Sequence, residues 1–204
     1  MTSPAAFWDR IAPRYAKRPI ANLPAYEATL ARVKSYLKPA DRVLELGCGT
    51  GSTALILAPG VAAYTGADIS AEMVRIGRGK AEAAGQSQPE FVQAGVDAEA
   101  FRGSAFDVVL AFNLFHLVPG ADVGLGEVAR LVPSGGLFIS KTPCLSGKWY
   151  LRPVIGILQS IGMAPPVRFL SPNDWERRIE AARFDILETG YYPSPSRFVV
   201  ARKR

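Results

Sequence analysis

Short apolar runs alternate with segments of helical periodicity over most of the chain. Runs without polar alternation are typical of strands that are buried on both faces of a sheet. They predict strands at residues 43–46, 61–67, 91–93, 106–111 and 137–141. The intervening segments mix charged and apolar positions and predict helices at residues 25–37, 52–57, 71–84 and 120–132. This order of elements favours a parallel, doubly wound α/β sheet with right-handed connections.

The two ends of the chain break this alternation. Residues 5–18 predict a short amphipathic helix. Residues 142–173 carry prolines, glycines and an apolar patch at 154–163, which is too apolar for a linker and predicts a lobe that covers a substrate. A helix is then expected at 172–182. Two closing strands, at 184–189 and 197–201, are joined by a proline-rich turn that suits an antiparallel hairpin.

Length and composition are those of one ordinary globular domain. The 204 residues leave room for one sizeable core, and 49% hydrophobic with 21% charged residues argues against disorder. We therefore expect a single domain. Its parts are an N-terminal helical cap (1–38), a cofactor-binding core (39–141), a substrate-side insertion (142–175) and a closing helix with strands (176–204).

Several classes of protein are disfavoured by the cysteines, the charge and the N-terminus. Cys48, Cys144 and the lone His116 lack metal-ligand spacing, so no metal site is expected. The net charge of +6 comes from cations that are dispersed along the chain and cluster mainly at its two ends. This distribution favours solvated surface charge over a nucleic-acid site. The sequence shows neither a signal peptide nor a run near the roughly eighteen apolar residues of a membrane span. We expect a cytoplasmic protein with reduced thiols, and its oligomeric state stays open.

A glycine turn follows the first predicted strand. The stretch VLELGCGTG places Gly47, Gly49 and Gly51 between that strand and a helix that starts at Ser52. Such a turn lets a ligand approach the main chain, and the helix N-terminus favours an anionic group. A dinucleotide fingerprint would require glycine at position 52, so a nicotinamide dehydrogenase is a weak alternative.

Asp68 indicates the kind of ligand. It ends the second predicted strand, at about the twenty-residue distance where a carboxylate accepts both hydroxyls of a ribose. A nucleoside ligand is therefore expected, with its acidic end near the glycines.

Five motifs carry a resemblance to a known family. They are VLELGCGTG, GADIS, VDAEAF, FDVVLAFNLFHLV and LVPSGGLFIS, in that order along the chain. With them the chain resembles the class I S-adenosylmethionine-dependent methyltransferases, and within these the ubiquinone/menaquinone-type branch that acts on small molecules. The resemblance implies a Rossmann-like, mostly parallel sheet of seven strands with an antiparallel final strand. It also implies S-adenosyl-L-methionine as the cofactor.

The resemblance further implies a set of cofactor contacts. The glycine turn, Cys48 included, would hold the methionyl end, with Glu45 reaching its ammonium directly or through water. Asp97 would accept a hydrogen bond from the adenine amino group, although an exposed loop aspartate is the alternative. Ile69 and Ala98 would line the adenine, and Asn113 would begin the segment that faces the methyl group. Tyr15 would fold over the cofactor, although packing on the core is the alternative for this residue.

The sequence offers one candidate for the base that removes the acceptor's proton, and it only suggests the kind of acceptor. His116 leaves the site end of the fourth predicted strand and is the candidate base, but a histidine between Phe115 and Leu117 is more often a packed residue. Cys144 is interpreted as structural. The aromatic N-terminus and the apolar patch favour a small, apolar methyl acceptor. A protein or RNA acceptor and a binding module without turnover stay open.

Overall fold

A computed structural model describes residues 3–97, 99–192 and 195–204, and its strands form one mixed sheet. The seven strands pair in the order 3-2-1-4-5-7-6, and only the seventh runs antiparallel to its neighbours. The strands are β1 Arg42–Leu46, β2 Ala63–Asp68, β3 Glu90–Gln93, β4 Val108–Phe112, β5 Leu137–Pro143, β6 Phe184–Tyr191 and β7 Ser196–Lys203. The predicted sheet and its antiparallel last strand are confirmed.

Helices cover both faces of the sheet. They are α1 Pro4–Ala16, α2 Leu23–Lys34, α3 Ser52–Leu57, α4 Ala71–Ala83, α5 Ala121–Leu131, α6 Arg152–Ser160 and α7 Pro172–Ala181. Short 3-10 turns lie at Ala58–Gly60, Glu99–Phe101, Phe115–Leu117 and Ser146–Leu151. No helix in the described ranges is both long and apolar enough to cross a lipid bilayer.

The central strands are apolar because both of their faces are covered. Leu44 and Leu46 pack in a cluster with Trp175, whereas Val43 packs in a second cluster with Leu30. Successive side chains of a strand point to opposite faces, so the two clusters lie on opposite sides of the sheet. Glu45 is the polar interruption in this strand, and it belongs to the face of Val43.

The sheet order creates a switch point between β1 and β4. From β1 the chain moves outward through β2 and β3, and it then returns to β4 on the other side of β1. Open α/β sheets bind ligands in the crevice outside the carboxyl ends of their strands at such a point. The loops after β1, β2 and β4 are therefore where a site is expected.

The middle of the segment between β5 and α7 lies on the outside of the molecule. Ser146–Leu151 and α6 form there, and neither element contains a buried residue. The apolar patch at 154–163 faces solvent: Val154, Ile157, Ile161 and Met163 are all more than half exposed. The lobe expected to cover a substrate is thus present as an element, but its apolar side chains point away from the core.

Candidate functional site

A cavity of about 830 Å³ opens at the carboxyl ends of β1, β2 and β4. Its floor is formed by the residues that follow these strands, and α1 and α2 contribute the opposite wall. The volume lies within the range of pockets that enclose a drug-sized ligand. Of the residues predicted for the site, the cavity brings together Tyr15, Glu45, Gly47, Cys48, Gly49, Asp68, Ile69 and Asn113.

The glycine turn serves two purposes in the structure. Gly47 and Gly49 line the cavity with φ of 67° and 55°, a region that suits glycine. Gly51 has φ of 75° but is absent from the cavity wall formed by the described residues. A Cβ at Gly51 would lie 2.4 Å from the Phe91 ring and 3.3 Å from Gly77 Cα. Gly51 thus has a packing role between the turn, β3 and α4, and its expected cofactor contact stays a prediction.

Asp68 is held by two backbone amides. The Gly49 N–H donates to Oδ2 and the Ser70 N–H donates to Oδ1, each at 2.9 Å. Burial raises the pKa of the carboxyl above its ordinary value, while these two hydrogen bonds act in the opposite direction. The side chain is thereby fixed at the cavity wall, where its remaining lone pairs can accept hydrogen bonds from a ligand.

Glu45 is a nearly desolvated carboxyl beside Asp68. It is 3% exposed, and the Tyr64 hydroxyl donates to its Oε2 at 2.8 Å. Burial raises its pKa to about 8, and the negative charge of Asp68 contributes in the same direction. The cavity end that holds these two acids would therefore stabilise a bound cation.

Cys48 is buried in the same turn. Burial raises the pKa of its thiol well above the ordinary value. A thiol that stays protonated is a poor nucleophile. Cys48 therefore contributes a small apolar surface to the cavity. Cys144 is likewise free and buried, in keeping with its interpretation as structural.

The first helix closes the cavity from above. Asp9 Oδ1 accepts hydrogen bonds from the Ser70 hydroxyl at 2.6 Å and from the Glu72 N–H at 3.0 Å. These bonds fasten α1 to the N-terminus of α4. Trp8 and Tyr15, on the same helix, line the cavity. The N-terminal cap is thus anchored by a carboxylate that the sequence analysis did not single out.

The other side of the cavity carries a lysine and hydroxyl groups. Lys141, in β5, donates through Nζ to Thr29 Oγ1 at 2.8 Å, and burial lowers its pKa. The hydroxyls of Tyr26 and Thr53 lie 3.1 Å apart. All four residues line the cavity, and sequence reasoning missed them. The position of Lys141 at the end of the fifth strand was the available signal for one of them.

Asn113 lines the cavity directly after β4, the strand that lies between β1 and β5 in the sheet. Its φ is 54°, a left-handed conformation that asparagine tolerates better than most residues, and its N–H donates to the Lys141 carbonyl at 2.7 Å. This bond continues the pairing of β4 with β5 beyond the last strand residue. Asn113 is thereby positioned where the expected methyl-facing segment begins.

Two further predicted residues lie away from the cavity wall that the described chain forms. Asp97 is exposed and stands outside the cavity wall formed by the described residues, although Gly95 and Val96 line it. Ala98 lies outside the described residues. His116 is not among the described residues that line the cavity; its Nδ1 is buried without a hydrogen-bond partner, and burial lowers its pKa to about 4. Its proposed role as a base stays a prediction.

Comparisons with known proteins find a matching family model and several similar methyltransferases. Residues 43–136 match a family model described as a methyltransferase domain. The ubiquinone biosynthesis O-methyltransferase of Paracidovorax citrulli is 28% identical over 169 residues, which cover 78% of this chain and 71% of that protein. A fatty-acid O-methyltransferase of Mycolicibacterium smegmatis is 41% identical over 100 residues, 48% of this chain and 35% of that protein.

A solved structure extends the likeness to nearly the whole chain. The magnesium protoporphyrin IX methyltransferase of Synechocystis PCC 6803, crystallised with bound SAH, superposes with a TM-score of 0.72 at 22% identity. The superposition covers 98% of this chain and 94% of that protein. It supports the fold assignment.

Proposed function

The chain belongs to the class I S-adenosylmethionine-dependent methyltransferases, and we propose that it methylates a small, largely apolar molecule that carries an acidic oxygen. The observation that carries this proposal is the division of the cavity. Glu45 and Asp68 stand on β1 and β2 beside the glycine turn, whereas Lys141 stands on β5, which β4 separates from β1 in the sheet. One half suits a cationic nucleoside, and the other suits an apolar acceptor with one anionic group.

The cofactor half fits S-adenosylmethionine by charge and shape. Gly47 and Gly49 line the cavity with positive φ, so a ligand can approach their main chain without meeting a Cβ. Glu45 would hold the ammonium group, because it is a buried carboxyl whose partners in the described chain include no cation. Asp68 would accept the ribose hydroxyls, and Ile69 would cover the adenine.

The protein has little chemistry left to supply beyond positioning. S-adenosylmethionine brings a methyl group that is already activated by its sulfonium. The chain's task is to align an acceptor with that methyl group and to exclude water. Asn113 lines the cavity directly after β4, and Trp8 and Tyr15 of the capping helix close the cavity.

Lys141 is proposed to face the acceptor. Its ammonium sits in a partly desolvated environment, where it would pair with a carboxylate or phenolate and favour the deprotonated acceptor. A deprotonated acceptor needs no separate base at the moment of transfer. The ubiquinone biosynthesis and fatty-acid O-methyltransferases that the chain resembles are named as O-methyltransferases, which is consistent with an oxygen acceptor here.

The test begins with the cofactor. Titration calorimetry should show S-adenosylmethionine and S-adenosylhomocysteine binding with micromolar affinity, and NAD should not bind. Radiolabelled methyl transfer is then measured on long-chain fatty acids, alkylated phenols and their neutral methyl esters or ethers. Transfer to an acidic member supports the proposal. Cofactor binding without transfer to any small molecule favours a binding module, and transfer only to protein or RNA favours the macromolecular alternative.

A further inference from the structure

The segment between β5 and α7 presents a continuous apolar surface. We call it the outer patch and define it as Trp149, Tyr150, Val154, Ile157, Ile161 and Met163, which are 56% to 70% exposed. Val154 and Ile157 lie on α6 and Ile161 is its C-cap, at steps of three and four residues that place them on one side of the helix, whereas Trp149 and Tyr150 lie in the 3-10 turn that precedes it. None of the six lines the cavity within the described chain.

The outer patch is unusual because α6 does not use it for folding. The helix contains no buried residue, and its apolar face has no packing partner among the described elements. Single exposed apolar side chains are ordinary, but six on one short segment indicate an interaction surface. Binding of a partner, and not packing in the core, would account for the apolar side chains on this helix.

The charge around the outer patch has one sign. Residues 128–173 contain no aspartate or glutamate, and Lys148, Arg152 and Arg168 lie close to the patch in sequence. Arg152 stacks over Phe169 at 5.0 Å from the ring centroid. The segment around α6 thus combines exposed apolar side chains with cations, and its sequence contains no acid.

The capping helix adds further cations to this region. Arg10 of α1 donates a hydrogen bond to the Gly162 carbonyl, directly after α6. Arg14 lies one turn further along α1 and is also exposed. The cap of the cavity and the outer patch are therefore neighbours, joined by a side chain that reaches from one to the other.

We propose that the outer patch docks onto the surface of an anionic lipid bilayer. A helix with a large apolar face, bordering cations and aromatic residues lies in the headgroup region of membranes, where tryptophan and tyrosine are enriched. Each lysine or arginine near an anionic surface adds to the attraction. The chain would lie on the membrane and not span it.

A second copy of this chain fits the patch less well. A twofold interface would place the same patch on both partners, so Lys148 and Arg152 would face the cations of the other copy. Repulsion between like charges opposes such a dimer, whereas anionic lipid headgroups would neutralise the positive charge of these side chains. The proposed docking does not depend on which acceptor is methylated. If the proposed function is correct, docking would also bring the active site close to acceptors dissolved in the bilayer.

The experiment is vesicle cosedimentation of the full chain. Vesicles of equal parts phosphatidylglycerol and phosphatidylcholine are compared with vesicles of phosphatidylcholine alone. We expect binding to the anionic vesicles only, weakened by raised salt because charge attraction is screened. The double variant Ile157→Glu/Ile161→Glu should bind at least tenfold more weakly. Val123→Glu is the matched control, since Val123 is 70% exposed on α5, outside the patch, and this variant should bind like the parent.

Trp149 gives a second, local readout. Its emission should shift to the blue when anionic vesicles are added, because the indole leaves water, and Trp149→Phe should remove that shift. Unchanged affinity for S-adenosylhomocysteine shows that each variant is folded and separates loss of docking from any failure of the proposed function.

Three results would overturn the inference. The first is absence of binding to either vesicle, and the second is equal binding to both. The third is a concentration-dependent dimer, seen by sedimentation velocity, that Ile157→Glu/Ile161→Glu disperses; it would assign the patch to a second copy of the chain.

Discussion

The Gly49 amide donates to Asp68 Oδ2 at 2.9 Å and ties the glycine turn to the end of β2. The other oxygen of Asp68 accepts from the Ser70 N–H, at the N-cap of α4. One carboxylate therefore fixes the loop after β1 and the loop after β2 relative to each other. A ligand that bridges the two loops meets a site whose geometry is already set.

Asp68→Ala should lower both cofactor affinity and stability. The variant leaves two amides without their charged acceptor, which costs about 2–4 kcal/mol of unfolding free energy. Affinity for S-adenosylhomocysteine should fall at least tenfold, because the ribose contact is also lost. Urea denaturation and titration calorimetry measure the two effects. Asp97→Ala, on an exposed loop, is the control for stability, and a fully retained affinity in Asp68→Ala would refute the assigned role.

The sheet was predictable because its signal is local. Leu44, Leu46 and Val109 belong to runs that only a doubly covered strand tolerates, so the strands could be located without tertiary information. Glu45 and Asp68 followed from the rule that ligands bind at the carboxyl ends of parallel strands. Both line the cavity that the structure contains.

The missed residues depend on contacts between distant parts of the chain. Lys141 meets Thr29 across 112 positions, and nothing near either residue predicts how α2 packs on the end of β5. Gly51 was assigned to the ligand because all three turn glycines need positive φ. The ring of Phe91, forty residues later in the chain, gives Gly51 a packing role that the turn sequence does not reveal.

Gly51→Ala should therefore act on folding. A Cβ there meets the Phe91 ring at 2.4 Å and the residue keeps a left-handed φ, so we expect a loss of about 2–4 kcal/mol in stability. Gly49→Ala is the matched substitution, since its Cβ would meet only Tyr15, at 3.9 Å. It should cost about 1–2 kcal/mol for its φ. Under conditions where both variants are folded, cofactor affinity should fall more in Gly49→Ala than in Gly51→Ala. The reverse order would contradict a ligand-facing role for Gly49 and a packing role for Gly51.

Cofactor binding should release a proton from Glu45. Its pKa is about 8 in the free protein, so at pH 7 it is mostly protonated. An ammonium beside it favours the charged carboxylate and lowers that pKa. Affinity should then rise with pH up to about 8, with close to one proton released at pH 7. Calorimetry in buffers of different ionisation enthalpy counts the protons, and Glu45→Gln should release none.

The same group should make stability depend on pH. The pKa of Glu45 is raised in the folded state, so below about 4.5 the group is protonated both folded and unfolded and carries no penalty. Between about 4.5 and 8 unfolding releases a proton, and the parent should lose stability relative to Glu45→Gln as pH rises. Above 8 the difference should stay constant. A parallel pair of stability curves across this range would show that Glu45 is not the titrating group.

The capping helix should loosen when Asp9 is removed. Asp9→Ala takes two hydrogen bonds from the N-terminus of α4, although Ser70 still caps Met73, so the loss is about 1 kcal/mol. S-adenosylhomocysteine should dissociate several times faster, as followed by stopped flow. Asp9→Asn is the control, because both donors meet the same oxygen, Oδ1, and an amide carbonyl can replace it. Equal rates in the two variants would mean that α1 does not gate the cavity.

Lys141→Met should separate acceptor recognition from cofactor binding. Methionine keeps most of the side-chain length and removes the charge, and Thr29 still donates to the Ala25 carbonyl at 2.7 Å, so the fold should persist. Affinity for S-adenosylhomocysteine should stay within about twofold, while kcat/KM for the acidic acceptor should fall at least tenfold, equivalent to about 1.4 kcal/mol or more. Lys203→Met provides the control. Burial also lowers the pKa of Lys203, but that residue lies at the end of β7, outside the cavity wall of the described chain.

If Lys141 pairs with the acceptor anion, the loss of kcat/KM in Lys141→Met should be larger for an acidic acceptor than for a neutral analogue of the same shape. An equal loss for both would assign Lys141 to the shape of the cavity and not to its charge.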